Sequence, residues 1–465
     1  MRKAFARPIL ISALILGGAL LSGCGTLARS EFEPPPVQIP ESWQSVSVSD
    51  DVRIDAWWQQ FDDPALDDLI GQVLQNNSDL AQATLTLRKA RLQAGLSEQD
   101  LYPQPGANLS ASLSKPLEGG DSSRSYSASL SVSYEADLWG RVGASVDQSQ
   151  WTALASVEDL ESTAQGLVST TASLYWQIGY LRQRLVLADD SLAYAEKTLE
   201  LAQLQYDAGA VSRLNVLQAR RSLAAQRASR ITLQQQLQEA QNALSILCAQ
   251  PPGELSATIE QLPQGVLPEV AVGIPADLLV RRPDIKASMY RLRAALAGSD
   301  ATVASYLPSL TLSGSVGDSS SALKELLSDP VATLGAGLVL PFLRWNEMQL
   351  NKQIAEVDYQ SAVVDYRNTL YQAFEDVDNA ISARRHYVLQ AEQQQLQYAA
   401  ASEAERLYEN QYRNGAVPIQ DWLAAQDDRR SAEESLLENR YNQLTALATL
   451  YLALGGSDTA PAVQE

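Results

Sequence analysis

The chain has 465 residues, 45% of them hydrophobic, and a formal net charge of −20. That hydrophobic share excludes a multi-helix membrane protein, and the acidic balance excludes a nucleic-acid binder, which needs a basic footprint. One histidine, His386, and two cysteines leave too few residues for the usual zinc or nucleophilic chemistries or for a disulfide framework, so the expectation is a non-enzyme.

In chain order, Arg2, Lys3 and Arg7 precede an apolar run from Ile9 to Leu21 that is too short to span a bilayer, which predicts a secretory signal peptide over 1–23. The run ends in LSGC, residues 21–24, and this resembles the bacterial lipobox. The resemblance implies cleavage before Cys24 and a lipid, palmitate included, on its amino-terminal cysteine. Gly25, where an aspartate would retain the chain at the inner membrane, implies sorting to the outer membrane. Maturation removes three positive charges and takes the net charge from −20 to −23. Cys248 then remains as the free thiol and is expected to be a small core residue. Apart from the lipid on Cys24 no cofactor is expected, and no metal, since Met289 and Met348 stand alone. The run EFEPPPVQIP at 31–40 reads as an extended spacer within 24–62.

Beyond the spacer the chain is duplicated. QYDAGAV at 205–211 returns as QYRNGAV at 411–417, 206 positions later. SDLAQATLTLRKA at 78–90 lines up with PDIKASMYRLRAA at 283–295, and Trp139 with Trp345. The boundaries predicted are a first repeat at 63–248, a Pro-rich linker at 249–272, a second repeat at 273–455 and a tail at 456–465. Each repeat reads as helix, two strands, long helix, turn, helix. Helices are expected at about 64–100 and 212–248, and again at 275–306 and 418–454.

The long helix of the first repeat has a seven-residue period. Stepping alternately four and three residues from Ala153 to Ala202 visits fifteen positions, of which only Thr171 is polar. A helix from 140 to 205 at 1.5 Å per residue is roughly 100 Å long. The second repeat keeps this seam with polar interruptions at Arg384, Gln394 and Glu405. Periodicity alone would equally suit a soluble coiled coil.

The strands decide between the two. In SYSASLSVSY, residues 125–134, apolar residues alternate with five serines, and NLSASLS at 108–114, SLTLSGSV at 309–316 and TLGAGLVL at 333–340 repeat the pattern. Alternation of apolar with small polar residues suits a transmembrane β-barrel and also a half-buried soluble sheet; the outer-membrane lipoprotein signal favours the barrel. Four strands cannot close a barrel, and lipid tolerates no unpaired edge. Two copies would give eight strands with a filled interior; three would give twelve and room for a water-filled bore.

Four motifs in order carry a family resemblance: WWQQFDDPALDDLI at 57–70, YEADLWGRV at 134–142, QYDAGAVSRLNVLQAR at 205–220 and ADLLVRRPDI at 276–285. With the lipobox, they resemble the outer membrane factors of Gram-negative bacteria, the TolC-like family, in its lipoprotein efflux branch. The resemblance implies an α+β membrane protein. It would be a homotrimer giving four strands per chain to a twelve-stranded outer-membrane barrel, continued by a long periplasmic α-helical barrel. It implies a passive duct in a tripartite system, with a periplasmic adaptor and an inner-membrane efflux pump as partners and toxic small molecules as cargo. The same fold serves protein export, and a coiled-coil tether without a pore is the alternative of another class.

The glycines of the twin phrases are expected to end the long helices in left-handed turns, with Ser212 capping the next helix and Pro418 in the first turn of its counterpart. The resemblance places these tips at the periplasmic mouth. Candidate gate residues are Tyr412, Arg413, Gln420, Asp421, Ala424 and Asp427. Candidate adaptor-docking residues are Tyr206, Asp207, Gly209, Val211, Ser212, Arg213, Gly415, Val417 and Pro418. Relatives often carry an acidic residue followed by Ala-Gln-Arg where this chain has AAQDD at 424–428, so the gate chemistry departs from the common pattern. The negative charge of the chain further suggests an acidic lumen that favours cations.

Overall fold

The computed structural model describes residues 29–40, 43, 56–118, 121–253, 259–268, 270 and 275–456. The signal peptide, Cys24 and residues 457–465 lie outside these. In chain order the elements are helices α1 (Pro64–Asn76) and α2 (Ser78–Gln99), strands β1 (Gln104–Ser114) and β2 (Ser123–Ala136), and helices α3 (Arg141–Asp207) and α4 (Arg213–Leu247). The second repeat gives α5 (Leu278–Arg281), α6 (Pro283–Ala304), β3 (Ser309–Ser320), β4 (Val331–Val339), α7 (Trp345–Arg413) and α8 (Ile419–Ala453). Within the described residues no helix is long and apolar enough to cross a membrane.

The helices expected at 64–100 and 275–306 are each broken once. Asn77 and Arg282 adopt extended backbone (ψ 133° and 121°) between α1 and α2 and between α5 and α6. The cause is local. The Asn77 side chain accepts from the backbone N–H groups of Asp79 and Leu80 at 2.8 and 3.1 Å, starting a new helix, and Arg282 precedes Pro283, which disfavours helical backbone before it. Both residues then do the same job. The Asn77 amide donates to the carbonyl of Leu247, and the Arg282 guanidinium to that of Ala453, the last residues of α4 and α8. A short helix is thus joined to the next by a side chain that satisfies a helix-end carbonyl. In the second repeat Arg282 also pairs with Asp284 and Asp376, at 2.7 and 3.0 Å.

The chain divides into two compact units, each drawing on both repeats. The first comprises residues up to Val37, Leu85–Glu158 and Lys286–Thr369. It contains one antiparallel sheet in the order β1-β2-β3-β4. All four strands start or end beyond the alternating cores read from sequence, because pairing extends into flanking residues such as Gln104, Ser123 and Ser320. The registers put Leu109 beside Ala128, Leu130 beside Val316 and Leu310 beside Leu338, so the apolar residues share one face. No described part of the chain covers that face: Leu109 is 79% exposed and Leu334 91%. The other face carries serine, threonine, glycine and asparagine, with Val331 and Val339 at the ends of β4. Its single charge is Glu135, held by a two-pronged pair with Arg141 at 3.0 and 2.7 Å. The acidity expected of a lumen therefore does not come from the sheet.

The strand-to-helix junction in YEADLWGRV is a cap. Asp137 accepts from the N–H groups of Val142 and Gly143, and the Trp139 indole donates to the carbonyl of Pro308. The described N-terminal residues 29–40 form neither helix nor strand, and they are not free. Arg29 pairs with Asp147, and Ser30 donates its N–H and hydroxyl to Asp300. The Arg293 guanidinium lies between the rings of Phe32 and Trp151, at 4.6 and 4.8 Å.

The second unit comprises Gln38–Thr84, Asp159–Ile285 and Leu370–Glu465. Its middle holds an aromatic cluster built on the WWQQF stretch, a short 3-10 turn at Trp57–Phe61. Trp57 stacks on Tyr451 at 5.0 Å, and Phe61 packs on Trp176 at the same distance. Asp63 caps α1 and accepts from the Tyr175 hydroxyl at 2.9 Å. The described linker residues 259–268 are strapped to the helices. Ile259 sits on Gly179, where a Cβ would come within 2.9 Å, Leu262 N–H reaches Gln183, and Arg440 donates to the carbonyls of Pro263 and Gly265.

Candidate functional site

Both long helices end identically. In α3 the N–H of Gly209 reaches the carbonyl of Tyr206 and that of Ala210 the carbonyl of Gln205; in α7 Gly415 reaches Tyr412 and Ala416 reaches Gln411, all at 2.8–2.9 Å. Gly209 and Gly415 have φ of 75° and 73°, the left-handed conformation that glycine adopts without strain. The starts of the next helices differ from expectation. Ser212 sits at the cap position of α4, yet its hydroxyl turns to the Asn215 side chain at 3.2 Å instead of the backbone. Pro418 also occupies the cap position, one residue before α8, since its extended ψ of 156° lies outside the helix.

The four helix ends meet in a small core. Ala202 of α3 and Ala219 of α4 are fully buried, and their small size admits the rings of Tyr412 and Trp422, with Ile419 alongside. Tyr412 stacks on Trp422 at 5.1 Å, Tyr194 meets Trp422 edge-on at 6.1 Å, and the Tyr412 hydroxyl donates to Gln205 at 2.6 Å. Burial pushes the Tyr412 and Tyr194 phenols up, and Glu405 and Glu409 add to the effect at Tyr194.

Behind this core lies a polar layer. Gln426 donates to the Thr198 hydroxyl at 3.3 Å. Arg429 lies between Glu405 at 2.6 Å and Glu433 at 2.5 Å. Burial opposes the Arg429 charge, and the two carboxylates outweigh it and raise its pKa. Arg184 pairs with Glu434 at 3.0 Å, and Tyr180 stacks on Tyr441 at 5.3 Å.

Five of the six gate candidates, Arg413, Gln420, Asp421, Ala424 and Asp427, are exposed. Arg413 is held by Glu409 and Asp427 by Arg430, each one helical turn away. Tyr412 differs from the others: it is 3% exposed and belongs to the core of the tip, because its ring is the partner of Trp422. Of the docking candidates, Tyr206, Asp207, Gly209, Ser212, Arg213, Gly415 and Pro418 are exposed, and Val211 and Val417 are half-buried. Tyr206 and Tyr412 stand 206 positions apart at equivalent sites, yet Tyr206 is 40% exposed. The first tip has Val216 where the second has Trp422, so nothing in it can hold a tyrosine in the same way. Tyr194, Glu405 and Arg429 escape a reading based on the turns alone; Trp422 stands in the second tip itself and has no tryptophan to match it in the first. Cys24 lies outside the described residues. Among those described, no group of three histidine, cysteine or carboxylate side chains is placed to hold a metal.

The sequence profile of the family described as outer membrane efflux protein matches residues 69–249 and 274–456. The pyoverdine export outer membrane protein OpmQ of Pseudomonas putida is 32% identical over 445 residues, covering 92% of this chain and 95% of its own. The probable efflux pump outer membrane protein TtgC of the same species is 31% identical over 462 residues, covering 96% and 95%. The crystal structure of the open state of the Neisseria gonorrhoeae MtrE outer membrane channel is similar with a TM-score of 0.82 and 30% identity, over 93% of this chain and 98% of that one.

Proposed function

The chain belongs to the outer membrane efflux protein family, and on that premise we propose that three copies form a passive duct through the outer membrane. The duct carries toxic small molecules outward from a periplasmic adaptor and an inner-membrane pump. One observation carries this reading: a four-stranded sheet with an uncovered apolar face, a face of small polar residues, and two edges, β1 and β4, without a partner strand among the described residues. In lipid such a sheet is stable only when closed, with its apolar face outward and its hydroxyl face on water. Three copies give twelve strands and leave a bore. The name of OpmQ, a pyoverdine exporter, supports small-molecule cargo, and that of TtgC supports efflux.

In this reading the glycine turns ring the periplasmic mouth. The exposed residues Arg413, Gln420, Asp421, Ala424 and Asp427 serve as gate, and the exposed turn residues of both tips serve as the adaptor's seat. The protein performs no chemistry of its own, and its one covalent addition is the lipid on Cys24.

Deleting the gene should raise sensitivity to several unrelated toxic compounds; unchanged susceptibility across a broad panel counts against efflux. Planar-bilayer conductance separates a duct from a pore-less tether, and electron microscopy of the detergent-extracted protein should show a threefold tube. Cys24→Ala should abolish incorporation of radiolabelled palmitate.

A further inference from the structure

The apolar face of the sheet meets charge at its hairpin end. On β2 that face carries Tyr126, Ala128, Leu130, Val132, Tyr134 and Ala136, and the next position towards the hairpin is Arg124, set by the register beside Leu113 of β1. Lys115 follows β1 directly, two positions beyond Leu113. Both bases are exposed, and neither makes an ion pair with a described residue. Glu118 and Asp121, the acids of the same hairpin, stand three residues from Lys115 and Arg124 and engage neither. The other charge on this face, Asp318 of β3, accepts from the backbone N–H groups of Ser319 and Asp329 at 2.7 and 3.2 Å. The opposite end of the sheet differs. There Asp137 follows Ala136 and caps α3, and Arg344, after β4, is paired with Glu347 at 2.8 Å.

Depth gives the position of Arg124 a meaning. Ten residues lead from Tyr126 to Ala136, about 34 Å of strand, and at the tilt of barrel strands about 24–28 Å along the membrane normal. That matches the ~25 Å apolar band of outer-membrane barrels, with a tyrosine near each boundary as in their aromatic girdles. Arg124 then stands about 5 Å outside the band, at the level of lipid headgroups. Each strand joins its helix at the opposite end of the sheet, so with the helices in the periplasm the headgroups at Arg124 are those of the outer leaflet. A guanidinium donates two parallel hydrogen bonds to a phosphate, and Lys115, across a diagonal of about 7–8 Å, adds a second cation on a long stem that reaches the same group.

We propose that Arg124 and Lys115 bind the phosphate of a lipid headgroup in the outer leaflet, one per chain, while Leu109, Leu113 and Leu130 lie against its acyl chains. The site rests on the duct proposed above, which puts this face in lipid, and adds the group on the lipid that the outer rim holds.

The test uses the full-length protein in detergent and counts bound lipid by native mass spectrometry. The probe is an acylated glucosamine disaccharide carrying two phosphates, compared with its dephosphorylated form and with inorganic phosphate. The wild type should hold one probe molecule per chain and bind the dephosphorylated form about tenfold more weakly. The double variant Arg124→Gln, Lys115→Gln should weaken probe binding about tenfold, with trimer and planar-bilayer conductance as in the wild type. Arg124→Lys keeps the charge and loses the fork, and should weaken it about threefold; it carries the test if the double variant fails to assemble. Equal binding of the two lipid forms, or wild-type affinity in the variants, would overturn the site. Inorganic phosphate bound as tightly as the probe would reduce it to a free-anion site and overturn it too. A wild-type chain that forms no trimer and conducts nothing would instead remove the duct on which the site rests.

Discussion

Replacing Trp422 by alanine is the sharpest probe of the tip. The ring is 2% exposed, stacks on Tyr412, meets Tyr194 edge-on and fills the space left by Ala202 and Ala219. Removing a buried tryptophan costs about 3–5 kcal/mol, part of it from the two aromatic pairs. The sheet-bearing unit shares none of these contacts, so the loss should stay local. Protection of backbone amides against hydrogen exchange at 196–206 and 412–426 should fall by a factor of about 10² to 4 × 10³, at 1.4 kcal/mol per decade. Protection across β1–β4 should stay unchanged. Trp422→Phe keeps an aromatic ring on Tyr412 and should cost under about 1.5 kcal/mol. If the tip closes the duct at rest, Trp422→Ala cells should also admit a bulky hydrophilic dye that the outer membrane excludes. Unaltered exchange at the tip would refute the assignment of Trp422 as its core; altered exchange without dye entry would separate that core from the gate.

Gly415→Ala should destabilise the tip by about 1 kcal/mol measured by the same exchange, although a Cβ there meets nothing within 4 Å, because φ of 73° is strained for alanine. The converse holds at Ala249, which has φ of 55° after α4 where the second repeat has Gly455; Ala249→Gly should raise stability by up to about 1 kcal/mol in thermal melts. Asn77→Ala removes both a helix cap and the donor to Leu247, and should lower the melting temperature by the equivalent of about 1–2 kcal/mol. Cys248 is 2% exposed and burial pushes its thiol up, so the folded protein should resist maleimide at pH 8 and react once denatured. Burial raises the Tyr194 and Tyr412 phenols, so the unfolded chain ionises first; the tip should hold below the ordinary tyrosine value near 10 and loosen as the pH climbs past it, which exchange measured in alkaline buffer would reveal.

Much of the fold was legible in the sequence because it rests on spacing. The repeat offsets placed Gly209 and Gly415 at equivalent turns, and the serine alternation placed four strands. What spacing concealed was physical in each case. A helical pattern continues through Asn77 in sequence, but its side chain captures the N–H groups of the next helix. The proline after Arg282 was a visible breaker outweighed by an expectation of one long helix. The N-terminal stretch reads as a spacer by its prolines, while Phe32 is pinned by a cation from a helix more than 250 residues away. Tyr412 matches Tyr206 letter for letter; only the partner across the fold, Trp422, determines that one is buried and the other exposed.

The pairing pattern of the sheet also sets an order of events in biogenesis. Each of the β1–β2 and β3–β4 hairpins joins residues close in the chain, but β2 meets β3 by pairing Ser131 with Ser315, across the whole of α3 and α4. Closing so long a loop is slow. The second hairpin cannot join the first until the four intervening helices, α3 to α6, and the linker have been made. Through that interval the apolar face of the first hairpin lacks its partner β3, and an uncovered apolar edge of this kind is the aggregation-prone stage of folding.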